Sequence, residues 1–278
     1  MSLRRVLALW RVHLFLDLIF VLRSPERAIV YIVSDGIIAS SAVAGVVLLA
    51  TRFESIGEWP ASRILFLGAF GVLVDGVVAS FFQFNVAFLS RRIGRGQLDH
   101  SLLQPQPLRQ CLLTEGFAPL SGSGSVLTGI IGLSIAASGL GIVITPLWMT
   151  LLCVHVVAAT AIAVSFSTIW ATLAFWSPRG AEEVSSAAFD VVTGLKGFPL
   201  DRVGGALTVA LLTVAPAGFV GWLPARVLTA SEPSVEALVA TPLAAVAFAG
   251  IAILCLRLGL RHYLRTGSWR YTDFGHRR

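Results

Sequence analysis

Two carboxylates inside long apolar stretches are the residues of this sequence best suited to chemistry. Asp75 lies in the middle of the apolar stretch 62–88, and Asp190 has a similar position if 184–198 spans a membrane. A charge in hydrocarbon costs several kcal/mol unless it is paired or hydrated. Each carboxyl is therefore either a protonated, hydrogen-bonded packing group or part of a hydrated path for a polar or cationic part of a substrate. Asp35 and Glu115 lie nearer the ends of their stretches, which favours packing roles for them.

The sequence lacks the motifs that indicate an enzyme or a metal protein. It contains no Gly-x-x-x-x-Gly-Lys-Ser/Thr loop for nucleotide phosphates. The five histidines share no metal-ligand spacing, and the three cysteines lie in or beside apolar stretches without paired spacing. Cys153 and His155 are two residues apart, so their side chains diverge on a helix. We expect no catalytic residue, no metal and no cofactor bound by this chain.

The composition is that of a polytopic membrane protein. Of the 278 residues 56% are hydrophobic and 13% are charged, and the mean hydropathy is +0.82, which excludes a soluble globular domain. Several stretches exceed the roughly 20 apolar residues that cross a bilayer. The net charge of +6 comes from basic residues beside these stretches, so membrane topology explains it better than nucleic-acid binding does.

The apolar stretches predict an all-α protein with six transmembrane helices. They lie at about 28–50, 62–88, within 110–138, at 147–173, in the region 184–222, and at 238–258. The third stretch is rich in glycine and alanine, which favours close helix packing rather than a phosphate site.

The fifth span has two readings. In the first, 184–198 crosses the membrane and 199–229 forms re-entrant helices on the outer face. In the second, 184–198 lies on the surface and 203–222 crosses. The positive-inside rule favours the second reading, because it places Lys196 and Arg202 inside.

The segment 89–109 interrupts the apolar stretches with four arginines, two glycines and a Pro-x-Pro sequence at Pro105 and Pro107. Such a segment cannot lie in hydrocarbon, so it is a loop in water. Within it we expect a short helix capped by Asp99, with Leu98, Leu102 and Leu103 on its apolar side.

The two termini flank the 28–258 transmembrane domain with basic sequence. Residues 1–27 have apolar positions at helical spacing and predict an amphipathic helix in the membrane interface. Residues 259–278 form a basic tail. With both termini inside and the first reading of the fifth span, sixteen of the 21 basic residues are cytoplasmic and five are outside (Arg52, Arg63, Lys196, Arg202, Arg226).

Two segments resemble the permease subunits of ABC-2-type exporters, in particular the bacterial DUF990 group. IGRGQLDHSLLQP is similar to the first cytoplasmic loop of that family, and FPLDRVGGALTVALLTVAPAGFVGWLPARVL to its outer re-entrant hairpin. The resemblance favours the first reading of the fifth span. It implies a loop that docks onto a separate ATPase, with contacts from Arg91, Arg92, Gly94, Gln97, Leu98, Asp99, Leu102, Leu103 and Pro105.

The resemblance also implies a set of partners. Two copies of a cytoplasmic ATPase would bind ATP and magnesium, and a second permease, identical or related, would complete the pathway in a bacterial cytoplasmic membrane. Independently of the resemblance, the position of Asp75 and Asp190 inside apolar stretches makes them candidates to line that pathway. Two alternatives remain open: an ion-coupled secondary transporter or channel that uses these carboxylates, and a membrane scaffold that transports nothing.

Overall fold

The computed structural model describes residues 3–52, 55–56, 58–120 and 122–267, and this part of the chain is almost entirely helical. Most of the predicted tail, 268–278, lies outside the described residues. In chain order the helices are α1 (Leu3–Arg23), α2 (Pro25–Arg52), α3 (Ala61–Gly94), α4 (Leu98–Leu103), α5 (Leu108–Thr114), α6 (Ser123–Gly139), α7 (Pro146–Ala171), α8 (Pro178–Leu195), α9 (Gly205–Thr213), α10 (Leu223–Leu228) and α11 (Val235–Thr266). Two short antiparallel strands, β1 (Ser55–Ile56) and β2 (Trp59–Pro60), lie between α2 and α3.

The all-α polytopic fold is confirmed, but the predicted count of six spans differs from the helices observed. In the described residues α2, α3, α7 and α11 are long and apolar enough to cross a membrane, and α9 with α10 makes a fifth only if this bent pair is one span. Helix α6 is apolar but has 17 residues, because a left-handed Gly116 and Pro119 delay its start to Ser123. Helix α8 has 18 residues and one polar face.

Helix α3 is the centre of the bundle. In its apolar part, 67% of the residues are buried, against 11% in α11 and none in α2. Glycines bring α3 and α6 into close contact: a Cβ added at Gly129 would lie 2.7 Å from the backbone of Leu73, and one at Gly76 would lie 2.5 Å from the backbone of Val126. The predicted packing role of the small residues in 110–138 agrees with these contacts.

Helix α8 runs antiparallel to α3 over most of its length. Glu182 pairs with Arg91, Lys196 pairs with Asp75, and Asp201 accepts a hydrogen bond from the Trp59 indole at 2.6 Å. At about 1.5 Å per helical residue, the first two pairs are about 21 Å apart along α8 and about 24 Å apart along α3. Residues 178–201 therefore connect the end of the bundle that carries Arg91, here called the basic end, to the opposite end.

The bent pair α9–α10 begins and ends at that opposite end. The chain bends by 83° at the break that contains Pro216, between Gly205–Thr213 and Gly218–Leu228. The second arm starts with a π-helical turn, Gly218–Trp222, which leads into α10. At the start of the pair, Asp201 lies against Trp59. At its finish, Thr229 accepts a hydrogen bond from Arg63 at 2.8 Å, and the Leu228 carbonyl accepts one from the Trp148 indole at 3.0 Å. This arrangement is that of a re-entrant hairpin and favours the first reading of the fifth span.

Candidate functional site: the basic loop and an intramembrane ion pair

The short helix α4 lies between a turn at Gly96 and an extended residue, Gln104. Helix α3 continues through Gly94, and the chain then turns at Gly96, whose φ of +68° lies in the left-handed region that glycine adopts readily. Helix α4 ends at Leu103 because Gln104 is extended before Pro105. Gly94 is not itself a break; it allows the close approach of Pro178, whose Cβ would lie 3.2 Å from a Cβ at position 94.

The prediction that Asp99 caps α4 is wrong. The helix begins two residues earlier than that role requires: its N-cap is Gln97, and no side chain caps it. Asp99 lies in the first turn, and its Oδ1 accepts a hydrogen bond of 2.6 Å from the hydroxyl of Tyr263 near the end of α11. Asp99 therefore joins α4 to the last helix of the chain.

The three leucines of α4 do not share one surface, which corrects their predicted role as joint anchors. Leu98 is 1% exposed and packs with Ile93, Phe175 and Tyr263 in a buried cluster at the basic end. Leu102 is half-buried against the same cluster, whereas Leu103 is 85% exposed. Of the three leucines only Leu103 is fully exposed, whereas Leu98 holds α4 against the rest of the chain.

Arg91 and Arg92 have partners within the chain. Arg92 donates hydrogen bonds to Ser101 of α4 at 2.9 Å and to Glu115 at 2.6 Å. Arg91 Nε donates to Glu182 of α8 at 2.7 Å, and this hydrogen bond and the carboxylate charge raise the pKa of the guanidinium. The two arginines therefore position α4 and α8 around the end of α3. The exposed surface of this segment includes Gln97, Leu103 and Pro105.

Asp75 is paired with Lys196, which the sequence did not indicate as a site residue. The Lys196 side chain is 7% exposed and that of Asp75 is 43% exposed. The lysine stem lies over Gly71, one turn before Asp75 on α3, where an added Cβ would be 3.2 Å from Cε. A Cβ at Gly221 would collide with the Lys196 carbonyl, so two glycines leave the space that the lysine occupies. One feature of the sequence could have indicated Lys196 as a site residue: it is the sole lysine of the chain and lies within a mostly apolar region.

Asp190 lies away from this ion pair. The buried side of α8 carries Ala181, Ser185, Val192 and, just beyond its end, Lys196. Asp190 is on the exposed side, at helical spacing from other polar positions, and it has no ion pair with any described residue. The exposed polar face of α8 is defined by Glu183, Ser186 and Asp190.

Three other acidic groups, Asp17, Asp35 and Glu115, bind the backbone or an arginine. Asp35 Oδ2 accepts a hydrogen bond of 2.6 Å from the Ser125 amide in the first turn of α6, and Asp17 Oδ2 accepts one of 2.7 Å from the Leu120 amide. Glu115 pairs with Arg92. These partners agree with packing roles for Asp35 and Glu115. Cys153 is exposed and His155 is buried on α7, so the two side chains diverge as predicted.

Of the comparisons with known proteins, a match to a family model identifies the family. Neither the curated proteins nor the solved structures give a match. A family model described as ABC-2 family transporter protein matches residues 37–267, which include α3, the whole of α4 and the hairpin α9–α10. Because this match covers most of the chain, the protein belongs to the ABC-2 transporter family and is a multi-pass membrane permease.

Proposed function

We propose that this chain is the membrane-spanning subunit of an exporter driven by ATP hydrolysis on a separate cytoplasmic ATPase. Two ATPase copies and a second permease, identical or related, complete the transporter in a bacterial cytoplasmic membrane. The excess of arginine at the basic end supports a cytoplasmic position for this end and for both termini. Family membership supports partnership with an ATPase and a bilayer.

The observation that carries the proposal is that α4 is held by the rest of the chain on one side and exposed on the other. Its inner side is held by Leu98, Arg92 and the bond from Tyr263 to Asp99, while Leu103 projects outward. A groove of about 630 Å³ runs beside the helix and is lined mainly by polar side chains. A helix fixed on one side and exposed on the other is suited to dock onto a partner and transmit its motion.

The contacts of α4 define how such motion would spread. Arg92 connects α4 to the end of α3, Asp99 connects it to α11, and Arg91 connects the same end of α3 to α8. When the ATPase dimer closes on ATP, a displacement of α4 would therefore move these three helices together as a rigid body.

The carboxylates support a polar pathway better than they support proton relay. Asp75 has Lys196 as its counter-charge, so the pair does not need to exchange protons to be stable in the membrane. The exposed polar face of α8 and the exposed part of Asp75 would instead be hydrated and would line the path for a polar or cationic part of the substrate.

Substitution of Leu103 tests this function. Leu103→Ala should reduce the ATPase that co-purifies with a tagged permease, because it removes the most exposed apolar contact of α4. Leu264→Ala is the matched control, since Leu264 is also exposed, at 66%, and lies near the same end on α11. The readouts are the amount of bound ATPase and its magnesium-dependent ATP hydrolysis.

Equal retention of the ATPase by Leu103→Ala and the wild type would reject α4 as the docking element. An equal loss of bound ATPase in Leu103→Ala and Leu264→Ala would show that the effect is not specific to α4. That result would also reject α4 as the docking element. Transport by the purified permease under an ion gradient alone would favour the secondary transporter instead.

A further inference from the structure

A cavity of about 560 Å³ lies between α3, α5, α7 and α11. Its wall is mainly aliphatic and aromatic, with Phe82, Leu112, Val164, Ile253 and Leu256 among the residues that line it. Ligand pockets in proteins typically measure about 300–1,000 Å³ and are mostly apolar with a few polar groups. The size and lining therefore suit an acyl chain.

Arg257 carries the only charge among the described residues that line this cavity. It is exposed, and Arg261 and Arg265 follow at intervals of four residues, so the three guanidinium groups form one stripe along α11. None of the three forms an ion pair with a described residue. An apolar cavity with one cation at its rim, and two more along the same face of α11, is complementary to an anionic amphiphile.

The position of the cavity in the bundle identifies the source of that amphiphile. Helix α11 has 32 residues, and at about 1.5 Å per residue it is about 48 Å long, compared with a hydrocarbon core of about 30 Å. Its last turns therefore extend into the headgroup region at the basic end, where Tyr263 contacts Asp99. Arg257 lies where the apolar part of α11 gives way to its basic end. Basic pockets between transmembrane helices bind anionic lipid headgroups.

We propose that this cavity binds an anionic membrane phospholipid, with an acyl chain among α3, α5, α7 and α11 and the phosphate at Arg257. The site is separate from the exposed side of α4. It does not require ATPase docking, so failure of one proposal leaves the other intact. The apolar wall supplies affinity for the chain, and the arginine stripe supplies the preference for negative charge.

Native mass spectrometry of the purified full chain tests this site, with phosphatidylglycerol and phosphatidylcholine as the lipid probes. The wild type should retain phosphatidylglycerol in preference to phosphatidylcholine. Arg257→Ala should reduce that preference about fivefold, which is the change expected for one basic residue near a lipid headgroup. Arg202→Ala is the control, because Arg202 is exposed at the opposite end beside Glu58 and should leave the preference unchanged.

Filling the cavity tests the chain-binding half of the proposal. Ala249→Trp should abolish retention of both lipids. Ala252→Leu is the smaller alternative and should weaken retention. The melting temperature of each variant shows whether it is folded, and a folded variant provides the test. Inorganic phosphate should not compete, because it lacks an acyl chain. The proposal is overturned by equal binding of the two lipids, by an unchanged preference in Arg257→Ala, by full retention in a folded filled variant, or by competition from phosphate.

Discussion

Replacing Asp75 by asparagine should destabilise the permease, because it leaves the buried ammonium of Lys196 without a counter-charge. The substitution keeps the size of the side chain and can still accept a hydrogen bond. If Asp75 were an uncharged packing group, the change would be nearly silent. The ion pair with Lys196 predicts a different outcome, since the lysine side chain is 7% exposed and water would replace the lost carboxylate only in part.

The size of the effect follows from the burial of the two partners. Removing one partner of a buried ion pair typically costs about 3–5 kcal/mol. Asp75 is 43% exposed, so the pair is partly solvated and we expect the lower end, about 3 kcal/mol. The reverse change, Lys196→Met, keeps an apolar stem over Gly71 and leaves the carboxylate on the more exposed side. It should therefore cost less than Asp75→Asn.

A double-mutant cycle measures the pair directly. The free energy of unfolding would be determined by SDS titration in mixed micelles for the wild type, Asp75→Asn, Lys196→Met and the double variant. The double variant should be more stable than Asp75→Asn alone, because it removes the unpaired charge. Additive effects of the two substitutions, or an unchanged stability in Asp75→Asn, would show that the pair does not form in the membrane.

Two further substitutions test the coupling route and the topology. Tyr263→Phe should retain the bound ATPase but lower the substrate moved per ATP hydrolysed, because it keeps the ring and removes the bond to Asp99; unchanged coupling in reconstituted vesicles would contradict this. Arg202→Cys, in a background without the native cysteines, should react with an impermeant thiol reagent from outside, since Arg202 is 71% exposed at the opposite end. Labelling from the cytoplasmic side alone would make 203–222 the fifth span.

The long apolar elements could be predicted from the sequence because hydropathy is a local property. The stretches 28–50, 147–173 and 238–258 correspond to helices Pro25–Arg52, Pro146–Ala171 and Val235–Thr266. The loop between the second and third spans was equally clear, because arginines, glycines and prolines exclude it from hydrocarbon. Its short helix is present at Leu98–Leu103.

The partners of individual side chains could not be predicted, because they come from distant parts of the sequence. Asp99 is 164 residues from Tyr263, and its position before the leucines is equally typical of a cap. The burial of Leu98 depends on Phe175 and Tyr263, which a six-residue pattern does not contain. The positive-inside rule favoured a cytoplasmic Lys196, because the sequence alone does not show that Asp75, 121 residues away on α3, is its counter-charge.

In the first reading of the fifth span, helix α8 crosses the membrane although it does not meet the hydropathy criterion that identifies α2, α3, α7 and α11. Two of its polar contacts face α3, where Glu182 meets Arg91 and Lys196, just past its last turn, meets Asp75. Its other side carries Glu183, Ser186 and Asp190, which are exposed in the single chain. Hydrocarbon would not tolerate that face, because an unpaired carboxylate there costs several kcal/mol. In this reading the polar face must therefore contact either water or a second subunit. A position of α8 along a hydrated path between two permeases would provide both.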